Sequence, residues 1–250
     1  MRTPSAAVVG GSRTPGPDQQ HLDFDDPVSL DLTGVSTLVL VSAGRAEDDV
    51  VIARHRAVLE AAMRDGVEHV VYTSLTSAGD HLAHAVAHRA TERLIQQSGL
   101  GWTIMRNGLY AELFGALLAW ASDGELESPF GDGALAAVTR ADLAAAAAVV
   151  ARDPAAHAGR IYDLVGEPVT ALDVARGLDV SLRSLSEYRA RLSDANLLAF
   201  QPSMLASIAT NIRHGFLNET SPDLRDLPGR RPADGLESVV RTAASLRPAR

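Results

Sequence analysis

The strongest constraint on this chain is an alternation of short apolar β-rich runs with amphipathic helical stretches. Thr37-Leu-Val-Leu-Val-Ser42 is a β-branched run that ends in small residues and reads as a buried parallel strand. From Glu47 to Arg64, Val51, Val58, Leu59 and Ala62 recur at helical spacing, and Gly66 closes the pattern. Val67 to Thr73 reads as the next strand, Leu82 to Gln97 as a helix stopped by Gly99, and Trp102-Thr-Ile-Met105 as a third strand. Strand, helix, strand, helix, strand means βαβ units, a parallel sheet and a doubly wound α/β fold.

Beyond Arg106 the pattern predicts a helix over Leu109–Ser122, a strand over Ala136–Thr139 and a helix over Arg140–Ala151. It then predicts a strand over Ile161–Val165, helical text from Thr170 to Asn211, loop from Pro222 to Pro232, and a last helix over Gly235–Leu246. The division expected is a core over residues 1–165 and a small, mostly helical cap with the C-terminal helix over 166–250, packed as one compact unit. The cap is expected over the carboxyl edge of the sheet, where α/β folds bind ligands, with Leu197, Leu198, Phe200 and Met204 as apolar residues facing the ligand or packing the cap onto the sheet.

Composition narrows the function. The net charge is −8, which argues against nucleic-acid binding, since that rests on neutralising phosphates with Lys and Arg. No apolar run reaches the roughly 18–20 residues of a membrane span, and Met1–Pro4 lacks a basic-then-apolar secretion pattern, so a cytoplasmic protein is expected. Cysteine is absent, which excludes disulfides and thiolate chemistry. Lysine is absent too, and all 23 basic residues are arginine. A GC-rich bacterial genome accounts for that, but it still excludes a Schiff-base lysine and a Tyr-x-x-x-Lys dehydrogenase pair.

Several stretches, in order and spacing, resemble the NmrA-like, quinone-oxidoreductase-like branch of the atypical short-chain dehydrogenases. Arg2-Thr-Pro4 resembles the family's Val-Arg-x-Pro, and Asp23-Phe-Asp-Asp-Pro27-Val-Ser-Leu30 its Asp-Tyr/Phe-Asp-Asp-Pro-x-Ser-Leu. His55 to Ala62, Gly66 to Leu75, Arg89-Ala-Thr-Glu92, Met105-Arg-Asn-Gly-Leu-Tyr-Ala-Glu112 and Val138-Thr-Arg-Ala-Asp142 complete the match. It is dense from about Asp23 to Leu164. The resemblance implies a Rossmann-like fold that uses NADPH or NADH to reduce quinones or similar electrophiles, although some relatives are redox-sensing regulators.

Against that pattern, the chain starts where the family's second strand ends, so an N-terminally truncated core is expected, without the first strand, glycine-rich turn and helix. Two origins fit. Either the cradle has been dispensed with, or Met1 is an internal GTG valine taken for a start codon. Val9-Gly-Gly-Ser-Arg-Thr-Pro-Gly16 does not replace the turn, because no helix follows it to meet a pyrophosphate; its glycines are expected in a loop. The 250 residues are therefore expected to bind NADPH no tighter than roughly millimolar, or to bind no cofactor.

The candidate chemistry centres on His88, which occupies the slot of a histidine in quinone-reductase-like relatives and of a catalytic lysine in isoflavone-reductase-like ones. His84, four residues earlier, shares its helix face. Two imidazoles titrating near neutrality are a means of moving a proton to or from a substrate. His81, His84 and His88, with Asp80 nearby, also have the spacing of a zinc site, but no carboxylate at ligand spacing completes it, and no metal is expected. Ser42, Ala43, Gly44 and Thr73 end strands where a nicotinamide would approach. By resemblance Arg2 lies near the adenosine phosphate, and Ser74, Asn107, Gly108 and Tyr110 line the substrate. Arg140 and Asp142 are expected to form a structural ion pair and helix cap.

Three functions are compatible with these residues. The first is NAD(P)H-dependent reduction of a quinone-like or carbonyl small molecule. The second is a cofactor-independent isomerase, cyclase or dehydratase using His84 and His88 as acid and base. The third is a non-catalytic sensor or binding protein. The partners expected are a small molecule and, to cover exposed strand edges, a second copy of the chain.

Overall fold

The computed structural model describes residues 7–43, 45–119 and 126–246. It is an α/β structure. Strands β3 (Thr37–Val41), β4 (His69–Leu75), β5 (Gly101–Asn107) and β8 (Arg160–Leu164) form a sheet in the order β3-β4-β5-β8. β3 and β4 run parallel, with Thr37 opposite His69 and Val41 opposite Thr73. Helix α1 (Asp48–Arg64) lies between β3 and β4 in the chain, and α2 (Ala85–Gln97) between β4 and β5. The expected stops hold: Gly66 and Gly99 take φ of 78° and 81°, a left-handed conformation that glycine adopts without a Cβ penalty.

Two compact units divide the chain. The first comprises Met1–Thr73, Ala87–Ile104 and Ala148–Arg160. Its core gathers Leu40, Val58, Leu59, Val70, Tyr72 and Ile95, the inward positions of α1, α2, β3 and β4, with Leu30 from the segment before β3. Here the structure also corrects the expectation of a glycine loop near the N-terminus. Gly10–Ser12 is a short strand, β1, parallel to β2 (Gln19–His21), with Gly10 opposite Gln19. Six residues join the two strands, where a parallel connection normally takes a dozen or more.

The second unit comprises Ser74–Val86, Met105–Ala147 and Ile161–Arg250. Phe114, Leu118, Phe130, Ile208, Ile212 and Val239 lie at its core. They come from α3 (Ala111–Leu118), α7 (Gln201–Arg213), α9 (Gly235–Ser245) and the segment after β6 (Leu126–Ser128). β7 (Ala134–Ala136) pairs antiparallel with β9 (Pro168–Thr170), and β6 pairs parallel with β10 (Val180–Leu182). The remaining helices are α4 (Arg140–Arg152), α5 (Ala171–Ala175), α6 (Leu185–Asp194) and α8 (Asp223–Asp226). The passage after Thr170 is therefore partly extended rather than all helical, and the expected loop at Pro222–Pro232 contains α8. Of the four expected cap residues, Leu197 and Met204 pack against the core of this unit, while Leu198 is half exposed.

Candidate functional site

In the first unit, the carboxyl ends of β3 and β4 are tied together by side chains. The Ser42 amide donates to Thr73 Oγ1 at 3.0 Å, and the Ala43 amide donates to His55 Nε2 at 2.9 Å. A backbone amide can only donate, so His55 Nε2 carries no proton and its Nδ1 does. That Nδ1–H reaches Thr91 Oγ1 at 2.8 Å, and Thr91 in turn donates to the carbonyl of Ala87 at 2.8 Å. Three directed hydrogen bonds thus run from the end of β3, through α1, to the backbone of α2 one residue before His88. Of the expected cofactor residues, Ala43 begins this chain, and Ser42 and Thr73 are bonded to each other beside it. Two others, Arg2 and Gly44, lie outside the described residues.

His55 was not among the residues singled out from sequence. Its only signal is a histidine four residues after Val51, on the apolar face of α1 with Val58, Leu59 and Ala62. It is fully buried, and burial, helped by the Arg54 charge, lowers its pKa to about 4. The folded protein therefore holds a neutral ring, whereas the unfolded chain binds a proton near pH 6.5. The stability this contributes is complete above pH 6.5 and is lost as pH falls towards 4. Urea unfolding at pH 5 should give a free energy lower by about 2 kcal/mol than at pH 7.5 from this group, and His55→Gln should flatten that slope. An unchanged slope in the variant would assign the pH dependence to other groups.

His88 is half-buried, and its Nδ1 lies 3.1 Å from the hydroxyl of Tyr72. Tyr72 is fully buried on β4, with its ring 5.6 Å from that of His55 in an edge-on arrangement and 6.2 Å from that of His88. Burial pushes the Tyr72 phenol up to about 12, so it stays protonated across the physiological range. The Ser42 hydroxyl opposes that shift but lacks hydrogen-bond geometry to it or to any other described group, and is buried.

In the second unit, Ser74 and Asn107 are buried. The carbonyl of Asn107 accepts from the Thr76 amide at 2.9 Å, and Gly108 donates to the Leu164 carbonyl at 2.9 Å. The Asn107 side-chain oxygen is buried without a partner among the described residues. An orphaned acceptor of this kind costs about 1–3 kcal/mol and is an open position for a ligand donor. Tyr110 forms a parallel bridge to Val138, and the Arg140 guanidinium stacks 4.8 Å from its ring centroid.

The cap on α4 is Thr139, not Asp142: its hydroxyl accepts from the amide of Asp142 at 3.1 Å and donates to the carboxylate of Asp142 at 2.8 Å. The ion-pair partner of Asp142 is Arg230 at 2.7 Å, not Arg140, which is occupied with Tyr110 and, through its amide, with Glu112 Oε1.

The segment that carries His81 and His84 is not helical from Leu82, as periodicity suggests, because non-local bonds hold it. Thr76 and Ser77 donate to Asp163 at 2.5 and 3.1 Å, and the Ala83 amide donates to Ser207 Oγ at 3.1 Å. The His81 ring packs tilted against Phe216 with centroids 4.9 Å apart, and α2 begins only at Ala85. His84 therefore precedes the helix that carries His88, and the shared helical face expected of the pair is not formed.

A cavity elsewhere in this unit is lined by Leu117, Glu127, Pro129, Arg183, Tyr188 and Arg191, among others. Glu127 is buried and binds both Arg183 and Arg191. Burial pushes its carboxyl up, but the two guanidinium groups outweigh that and leave it below the ordinary value. Sequence reading found none of these residues, because the ion triad joins β6 to residues 56 and 64 positions later.

Residues 20–154 match the NAD(P)H-binding family. Quinone oxidoreductase 2 of Escherichia coli K12 is 32% identical over 96% of this chain and 91% of its own length. The chain belongs to the NmrA-like, NAD(P)H-binding quinone-oxidoreductase-like family. Among solved structures, the E. coli NADPH-dependent quinone oxidoreductase complexed with NADPH superposes with a TM-score of 0.81 at 31% identity, covering 96% of this chain and 91% of that one. The Citrobacter sp. triphenylmethane reductase complexed with NADP(H) gives 0.78 at 30% identity over 90% and 84%. The Rossmann-like fold expected for this family is the one found. The described residues of the first unit fit a nicotinamide nucleotide in one respect that needs no relative, the small strand-end residues Ser42 and Ala43. They offer no glycine turn at Gly10–Gly16 leading into a helix, since the next element is β2.

Proposed function

We propose that this protein is an NAD(P)H-dependent oxidoreductase that reduces a quinone-like or carbonyl small molecule. The observation that carries this reading is the near full-length likeness to the E. coli quinone oxidoreductase. Ser42, Ala43 and Thr73 hold the nicotinamide side of the cofactor, and Ser74, Asn107, Gly108 and Tyr110 take the substrate. His88 donates to the substrate oxygen, with His84 beside it in sequence as a secondary group. The bound nicotinamide supplies the hydride.

The structure offers another residue for the adenosine phosphate than Arg2. Ser12-Arg13-Thr14-Pro15 repeats the Arg-x-Pro pattern and directly follows β1, a strand paired parallel to β2. An arginine at the end of a parallel strand, next to the strand that leads into the Asp23-Phe24 stretch, suits a 2′-phosphate. NADPH is then preferred over NADH. Steady-state oxidation of each cofactor at up to millimolar concentration, with a simple quinone and a triphenylmethane dye as acceptors, tests both parts. Arg13→Gln should raise the KM for NADPH about tenfold and leave that for NADH unchanged, as expected for loss of one charge-assisted contact. Cofactor binding without turnover on any acceptor would replace the reductase reading by a sensor. Equal effects on both cofactors would remove Arg13 from phosphate recognition.

A further inference from the structure

A short 3-10 turn, Ser77–Gly79, follows β4, and Thr76 stands at its N-cap position. A threonine there ordinarily accepts from the first free amides of the turn through its own hydroxyl. Thr76 makes no such cap bond. Its hydroxyl donates instead to Asp163 Oδ1 at 2.5 Å. The first amide of the turn, that of Ser77, goes to the same carboxylate, 3.3 Å from Oδ1 and 3.1 Å from Oδ2. The cap of this turn therefore comes from β8, 86 residues further along the chain.

The carboxylate stands on a fixed support. The Asp163 amide donates to Asp223 Oδ2 at 2.9 Å, and the carbonyl of Leu164, the next residue, accepts from the Gly108 amide at 2.9 Å. The turn is also tied to β5. The Thr76 amide donates to the Asn107 carbonyl at 2.9 Å, and the Arg106 guanidinium donates to Ser77 Oγ at 2.9 Å. Thr76 is buried, and a carboxylate acceptor makes shorter, stronger hydrogen bonds than a neutral one.

We propose that Asp163 is a positioning residue: by capping the turn after β4 from β8, it fixes the relative placement of Ser74 and Asn107 and so the shape of the substrate site. Ser74 lies two residues before Thr76 in the chain, and Asn107 accepts the Thr76 amide. The inference rests on the assignment of Ser74 and Asn107 to the substrate and deepens it. Asp163 acts through Thr76 and Ser77 and not on the reacting atoms. Without its carboxylate the Thr76 hydroxyl loses its acceptor, the turn loses its first bond, and only the ties to β5 remain. The loss falls on the acceptor substrate and not on the nucleotide, whose assigned residues Ser42, Ala43 and Thr73 belong to the first unit.

The test pairs amide hydrogen exchange by NMR with steady-state kinetics on the full chain. In Asp163→Ala the Ser77 amide should exchange about tenfold faster or more. The KM for the quinone should rise about tenfold, as for loss of a charge-assisted bond, with the KM for NADPH unchanged. Asp163→Asn keeps one acceptor oxygen and should fall between the two proteins in both measurements. If Asp163→Ala does not fold, Asp163→Asn and Thr76→Val each remove part of the hold, and each should show a share of both effects. Unaltered exchange at Ser77 overturns the cap. Faster exchange with an unchanged quinone KM, or with both KM values raised alike, overturns the positioning role. The exchange readout needs no turnover, so absence of activity on every acceptor removes the reductase reading while Ser77 still decides the cap.

Discussion

Replacing His88 with alanine should lower turnover with a quinone acceptor by a factor of ~10²–10⁴, the usual cost of removing a positioned donor or acid. His84→Ala should cost much less. The structure sharpens that contrast beyond what spacing alone suggests. His88 sits one turn into α2, with its Nδ1 anchored on the phenol of Tyr72. His84 lies before the helix, in a segment held by bonds from its own neighbours. Because His88 is half-buried, its truncation should leave the fold intact, and circular dichroism and thermal unfolding close to wild type would confirm that. NADPH affinity should be unchanged, since the loss falls on the reacting oxygen and not on the nucleotide. Undiminished turnover in His88→Ala would move the chemistry elsewhere, first to Ser74 or Tyr110. Equal losses in the two variants would point to a shared structural cause.

How much of this was legible in the sequence follows from how local each signal is. β3, α1, β4 and β5 appear within a residue or two of where their patterns place them, because β-branched runs and helical periodicity are properties of neighbours in the chain. The start of α2 was misplaced by three residues. Leu82 and Ala85 keep helical spacing, but the Ala83 amide between them is claimed by Ser207, 124 residues away in sequence. β1 is not legible in the sequence, because Gly-Gly-Ser has poor strand propensity. Only its pairing with Gln19–His21 makes it a strand. The region after Thr170 was thinly punctuated, and β10 exists only because β6 offers it an edge.

The site was legible to the extent that it coincides with strand ends. Ser42 lies just beyond β3, Thr73 and Ser74 are the two residues before the last of β4, and Asn107 ends β5, where the alternation of strands and helices places them. The groups that govern those residues were not. His55 and Tyr72 looked like core, and they are core by burial. Their polar atoms act through partners that only the folded chain brings close. A histidine on an otherwise apolar helix face, and a tyrosine within a Val-Val-Tyr-Thr run, are the marks worth weighing in a related sequence. Each puts a hydrogen-bonding group where desolvation demands a partner.

Gly166→Ala should destabilise the protein more than any surface change. A Cβ built at Gly166 would lie 1.9 Å from the carbonyl oxygen of Ala137 and 2.8 Å from its carbon. Those are backbone atoms with no rotamer to escape into. The Ala137 amide donates across the same approach to the Glu167 carbonyl at 3.2 Å, and Ala137 follows directly on β7, which pairs with β9. Relieving the clash therefore means parting two strands and breaking that bond. Overpacking of this kind costs about 3 kcal/mol, which in a chain of this size lowers the Tm by roughly 6–12 °C. The effect should reach the candidate site as well, because Val138, the next residue, bridges Tyr110 and accepts from the Ala111 amide at 2.8 Å. Even where Gly166→Ala folds, its KM for the quinone should rise while that for NADPH holds. Gly177→Ala is the control. Nothing lies within 4 Å of a Cβ there, so restricting the unfolded chain should leave stability equal or raise it by about 0.4–1 kcal/mol. If Gly166→Ala melts within a degree or two of wild type, the close approach of Gly166 to Ala137 is not what holds β7 against β9, and the packing behind Tyr110 has to be sought in α7 and α9 instead.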